Sequence, residues 1–184
     1  MIFSVIVYAA SSADSIKTLN TSSPPSNQST NTQIGINVSR TDAEYLSELQ
    51  NINNKINANR MLLSEQHKIA WEKRNINNYK SIVLDGIVIC DKSDQRLNML
   101  KNSDYFKPLG DITRNLVSNS KNAYTNYLNY TNNRNPSSIE IGNKYTNIIN
   151  QSKDEFIITF EQLLKNGNYN YSSENGKITY FINK

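Results

Sequence analysis

Ser81-Ile82-Val83-Leu84-Asp85-Gly86-Ile87-Val88-Ile89-Cys90 is the strongest strand signal in the chain. Two apolar runs rich in β-branched residues flank Asp85-Gly86, a dipeptide suited to the two positive-φ positions of a type I′ turn, so the decamer predicts a β-hairpin. Both faces of both strands are apolar, which predicts burial on two sides or a central place in a small sheet. A second hairpin is expected at the C-terminus. Its turn is Asn175-Gly176, and a two-residue loop sets Tyr171 opposite Tyr180 and Ser173 opposite Ile178.

The rest of the chain reads as helix. Thr41 to about Asn78 forms one long N-terminal helix, opened by Thr41 with Glu44 three residues on as a capping box. Tyr45, Leu49, Ile52, Ile56, Leu63 and Ala70 recur at coiled-coil spacing, interrupted at Asn59, Gln66 and Lys73. A second stripe, Met61, Leu62, Ile69 and Trp71, predicts that the later half packs on the domain while the earlier half projects or meets a partner helix. Beyond the first hairpin, Asp91 is placed to cap a short helix through Leu97, Met99 and Leu100, ended by Pro108 and Gly110. Further helices are expected from Asp111 to about Tyr130, from Ser138 to Asn150, and from Ser152, with Glu155 as capping partner, to Asn166-Gly167. The order helix, hairpin, helices, hairpin predicts a mostly helical α+β domain over residues 41–184. In it one long helix and several shorter ones pack on a small antiparallel sheet built from the two hairpins.

Ahead of that domain lie two segments of other character. Residues 1–10, Met1-Ile2-Phe3-Ser4-Val5-Ile6-Val7-Tyr8-Ala9-Ala10, end in the small-x-small form of a signal-peptidase site, so cleavage is expected after Ala9 or Ala10. No Lys or Arg precedes the apolar run, and the alternative for it is a buried N-terminal strand. Residues 11–40 read as a flexible Ser/Thr/Asn/Pro-rich spacer: the stretch Thr18 to Gln33 has no periodic apolar face and includes Pro24-Pro25, so burial cannot offset its ordering entropy. No run reaches the twenty or so apolar residues of a transmembrane span.

Composition narrows the function classes. The 184 residues suit a single domain, and an apolar fraction of 37% with a mean hydropathy of -0.62 predicts a lean core built from stripes. About thirty asparagines, far above ordinary usage, are scattered among apolar positions, as codon bias toward Asn, Lys, Ile and Tyr would leave them. The net charge is +4, but its charges of both signs alternate without a basic stripe, which argues against a nucleic-acid partner. One cysteine, Cys90, and one histidine, His67, exclude an intramolecular disulfide and a zinc site of the usual kind.

The search for chemistry finds no catalytic motif, no metal set and no cofactor loop. No G-x-S-x-G surrounds a serine, and the six glycines form no phosphate-cradling loop. Asp91, Ser93 and Asp94 begin like a calcium loop, which Gln95, Arg96 and Leu97 break. Carboxylate pairs among Glu65, Glu72, Glu140, Glu155 and Glu161 are not selected by spacing. His67, between Glu65 and Glu72, reads as a surface residue. One constellation remains: Tyr124, Tyr127 and Tyr130, interleaved with Asn122, Asn126 and Asn129, a face suited to stacking on a glycan or on bases, or else a half-buried helix.

Leader, spacer and interrupted seam together point to a non-enzymatic exported protein, an assembly, adhesion or interaction component of a cell-envelope apparatus of pilus or secretion type. It is expected to meet a protein partner or a second copy through Tyr45, Leu49, Ile52 and Ile56. The alternative is a small extracytoplasmic glycan-binding protein or hydrolase. A cytoplasmic viral or phage accessory protein follows if the first ten residues are a strand.

Overall fold

The computed structural model describes residues 4–8, 35–73, 76–174 and 177–182. The segment expected as leader is therefore described only at Ser4–Tyr8 and that expected as spacer only from Gly35 onward, and the turn expected at Asn175-Gly176 lies outside the described residues. Four helices account for most of the described chain: α1 (Arg40–Lys73), α2 (Ile76–Met99), α3 (Lys107–Asn133) and α4 (Pro136–Asn166). Three short strands, β1 (Ser4–Tyr8), β2 (Tyr171–Glu174) and β3 (Lys177–Phe181), form one antiparallel sheet in the order β1-β3-β2. The molecule is mostly helical with a small antiparallel sheet.

The expected first hairpin is a helix. Ser81 to Cys90 lies inside α2, whose buried residues Tyr79, Val83, Gly86, Cys90, Ser93 and Leu97 are spaced alternately by four and three. That helical stripe runs through the β-branched residues, and Gly86 sits on it because of a close approach and not a turn: a Cβ there would come within 2.7 Å of both Asn59 Oδ1 and Tyr124 Cζ. Asp91 starts no new helix, since α2 runs through it to Met99. At the C-terminus β2 and β3 do pair with Tyr171 opposite Tyr180 and Ser173 opposite Ile178. β1 joins the other edge of β3, Val5 opposite Tyr180 and Val7 opposite Ile178.

Other boundaries shift for local reasons. The helix expected over Thr41–Asn78 ends at Lys73, and the chain re-enters helix at Ile76. Its cap is Ser39, not Thr41: the Ser39 hydroxyl oxygen accepts from the Asp42 backbone N–H at 3.1 Å and its own hydrogen goes to Asp42 Oδ2 at 2.7 Å. Pro108 does not mark a break; it occupies the first turn of α3, where its missing N–H leaves no hydrogen bond unmade. The two helices expected over Ser138–Asn150 and Ser152–Asn166 are one. The Ser152 hydroxyl donates back to the Ile148 carbonyl at 3.1 Å, four residues earlier, instead of capping a helix start.

Cross-contacts set the arrangement. Glu48 with Arg96, Asn59 with Ile82 and Gln66 with Asn78 pair rising positions on α1 with falling ones on α2, so these two run antiparallel. Lys80 with Asn132, Asp91 with Lys121 and Leu97 with Arg114 do the same for α2 and α3, and Tyr127 with Asn143 continues the alternation to α4. The result is an up-down-up-down four-helix bundle. Its core joins Leu49, Ile52 and Ile56 to Val83, Leu97, Leu116, Ile149, Phe160 and Leu164. The sheet closes one end, where Phe160 meets Phe106 at 6.2 Å and Tyr180 at 5.6 Å between ring centroids. Gly35–Ser39, expected as spacer, belongs to that closure: Ile36 and Val38 bridge to Tyr169 and Ile182, and the Asn170 side chain bonds both the N–H and the carbonyl of Gly35.

Candidate functional site

The expected partner-binding stripe is inside the molecule. Tyr45, Leu49, Ile52 and Ile56 are at most 3% exposed and pack within this chain's own core, with the Tyr45 hydroxyl set against Gly110 of α3. The lean composition leaves the bundle few large residues, and it uses this stripe itself. Met61 and Leu62, expected to pack on the domain, are instead exposed, and the side chains of Ile69, Ala70 and Trp71 lie outside the described residues. The tyrosines of α3 also turn inward: Tyr124 and Tyr127 are buried and Tyr130 is half-buried. They offer no open platform for stacking. Of the interleaved amides, Asn126 donates to the Asn122 carbonyl of its own helix at 2.8 Å.

What these inward phenols build is a pocket of about 260 Å³. α1 supplies Arg60, Leu63, Ser64 and His67 along one side, and α4 supplies Asn143, Thr146 and Ile149 along the other. Tyr79 of α2 and Ser120, Ala123, Tyr124 and Tyr127 of α3 complete it. An engineered apolar cavity of roughly 150 Å³ accommodates benzene, so this space suits a ligand somewhat larger than one aromatic ring.

The polar groups divide into satisfied and unsatisfied. Tyr127 donates to Asn143 Oδ1 at 2.9 Å or shares its hydroxyl with Thr146 Oγ1 at the same distance. The Arg60 guanidinium donates through Nη2 to Asn150 Oδ1 at 2.8 Å. Ser120 Oγ and the Tyr124 hydroxyl, both buried, have no hydrogen-bond partner among the described residues, and neither has Asn59 Oδ1 beside Tyr124. A buried hydroxyl left unpaired costs about 1–3 kcal/mol, so two on one helix face, one turn apart, call for a common cause.

Burial raises the pKa of Tyr79 and Tyr124 well above the ordinary phenol value, and that of Tyr127 less, so the phenols are neutral donors and acceptors at physiological pH. The same desolvation lowers the pKa of Arg60. Cys90 lies in the core as a buried thiol, pushed up to about 12 by burial first and by Asp91 second, and is not a nucleophile at neutral pH. His67, expected on a solvated face, is a half-buried wall of the pocket, edge-on to Tyr79 at 5.6 Å. Among the described residues no group of three His, Cys, Asp or Glu side chains is placed to hold a metal, and no helix is long and apolar enough to cross a membrane.

No protein-family model matches the chain, and comparisons with curated proteins and with solved structures find no significant match. Fold and site therefore define a class by geometry alone: a four-helix bundle with a pocket between its helices. Arg60, Ser120, Asn143 and Thr146 were not singled out from the sequence. Two signals pointed to them. Asn59 interrupts the α1 seam beside Arg60, and Ser120 stands in the apolar stripe of Leu116, Ala123 and Tyr127.

Proposed function

We propose that the protein is a non-enzymatic binding domain for a small ligand held in the pocket between α1 and α4. The observation that supports this reading is the pair of buried, unpartnered hydroxyls of Ser120 and Tyr124 on the pocket wall. A bundle stabilised only for its own sake would place apolar side chains there, because an unpaired buried hydroxyl lowers stability. Mixed lining of aromatic rings and a few convergent polar groups is the usual make-up of a small-molecule site. Among the described lining residues His67 is the one ordinary acid–base group, and no Asp or Glu stands with it there, which favours binding over turnover.

The expected alternative of a small extracytoplasmic glycan-binding protein or hydrolase shares with this proposal only a small-molecule site, and the stripe of the expected assembly role is enclosed in the core. The test is amide-resolved NMR titration with a panel of monosaccharides, small carboxylates and phenols. Saturable shifts at Ser120, Ala123 and Tyr124 are expected for at least one compound, and Ala123→Leu, which fills the space, should abolish them. A panel that moves none of these amides would sink the reading.

A further inference from the structure

We infer that the pocket selects a small aromatic monocarboxylate carrying a hydroxyl group, with the Arg60 guanidinium receiving the carboxylate and Ser120 and Tyr124 the hydroxyl. This rests on the pocket being a ligand site, and it adds the charge and shape of what enters.

The charge follows from a missing counter-ion. No Asp or Glu among the described residues lines the pocket. The ion pairs among the described residues join Arg40 to Glu44, Arg96 to Glu48 and Lys121 to Asp91, and none includes Arg60. The one hydrogen bond Arg60 makes to a described side chain is to a neutral amide, Asn150. A second cation lies on α4 within electrostatic reach: the pKa of the partly buried Lys153 is lowered by burial first and by the Arg60 charge second. Asp154 acts on Lys153 in the opposite sense but lies exposed, away from the pocket lining. A half-buried guanidinium with a like charge within reach and no carboxylate is an arrangement an anion completes, because partly desolvated charges are stable when paired.

The shape follows from the remaining lining. Leu63, Ala123 and Ile149 with the rings of Tyr79, Tyr124 and Tyr127 favour a flat apolar body over a sugar acid, whose hydroxyls would exceed the partners present. One guanidinium fork matches the two oxygens of a carboxylate, whereas a phosphate dianion calls for more donors than Arg60 supplies. Ser120 and Tyr124, which have no internal partner, then pair with a ligand hydroxyl.

The experiment is calorimetric and NMR titration of the full chain with 4-hydroxybenzoate, 4-hydroxybenzamide, glucuronate and inorganic phosphate. The expected result is that 4-hydroxybenzoate binds about tenfold or more tightly than the amide, with shifts centred on Ser120 and Tyr124, and that Arg60→Gln removes this preference. Lys153→Gln should weaken the acid by a smaller factor, and Lys55→Gln, on an exposed residue of α1, should leave it unchanged. If Arg60→Gln fails to fold, Arg60→Lys and the acid-to-amide comparison on the unaltered protein carry the decision. Equal binding of acid and amide, or tighter binding of phosphate or glucuronate, would overturn the inference while leaving the pocket as a ligand site. Binding of none of the probes would overturn it, and the absence of any responsive compound in the wider panel would remove the ligand site itself.

Discussion

The hydroxyl of Tyr124 has no partner among the described residues, while that of Tyr127, three residues further along α3, has Asn143 and Thr146. Both rings are buried, and each sits against a glycine of a neighbouring helix: a Cβ at Gly86 would meet Tyr124, and one at Gly142 would meet Tyr127. The rings are therefore held alike, and only their polar ends differ. Tyr124→Phe removes an unpaired buried oxygen and should leave stability unchanged or raise it by up to about 1 kcal/mol, whereas Tyr127→Phe should lower it by about 1 kcal/mol. Urea unfolding of the two variants checks this. A loss for Tyr124→Phe as large as that for Tyr127→Phe would show that Tyr124 is satisfied within the fold. The expected gain in stability accompanies a loss of ligand binding, the trade-off that a polar site inside a core imposes.

α2 shows how one stretch satisfies two local rules. Its β-branched residues and Asp85-Gly86 fit a hairpin, and its buried positions fit a helix, because Ile82, Ile87 and Ile89 are half-buried beside the main stripe and blur the alternation that would separate the two. Helix wins because packing on both α1 and α3 uses the stripe continuously. Adjacent substitutions therefore have opposite signs. Asp85 is exposed in a helix interior, so Asp85→Ala should stabilise by about 0.5 kcal/mol, where in a type I′ turn it would destabilise. Gly86→Ala should cost about 1–3 kcal/mol despite its better helix propensity, since the added methyl meets Asn59 and the Tyr124 ring. Thermal unfolding of both variants reads the signs. α4 carries a similar ambiguity: Ser152 with Glu155 has the spacing of a cap, yet the helix runs through it and the Ser152 hydroxyl bonds back to Ile148.

Across the molecule, the two ends of the chain meet in the sheet. β1 pairs along the whole of β3, from Ser4 opposite Phe181 to Tyr8 opposite Lys177, and these are the residues that the export expectation would remove. Loss of residues 1–10 would open that edge of β3. A chain beginning at residue 11 should unfold at a temperature lower by roughly 2 °C or more than the full chain. Unchanged unfolding would mean that the strand adds nothing to the fold. The mass of the mature N-terminus in the native host then shows which form the cell uses.

Features carried by a few neighbouring residues were legible before folding: the dominance of helix and the register of β2 against β3. The choice of helix at Asp85-Gly86 was not, because hairpin and helix were both locally satisfied and the decision lay in what α1 and α3 pressed against them. Nor was the destination of Tyr45, Leu49, Ile52 and Ile56, since an apolar stripe looks the same whether it meets its own bundle or another chain. The pocket is tertiary throughout. Arg60 of α1, Ser120 and Tyr124 of α3 and Thr146 of α4 acquire a common environment only when the antiparallel helices bring them together, and desolvation there sets the character of their hydroxyls and of the guanidinium.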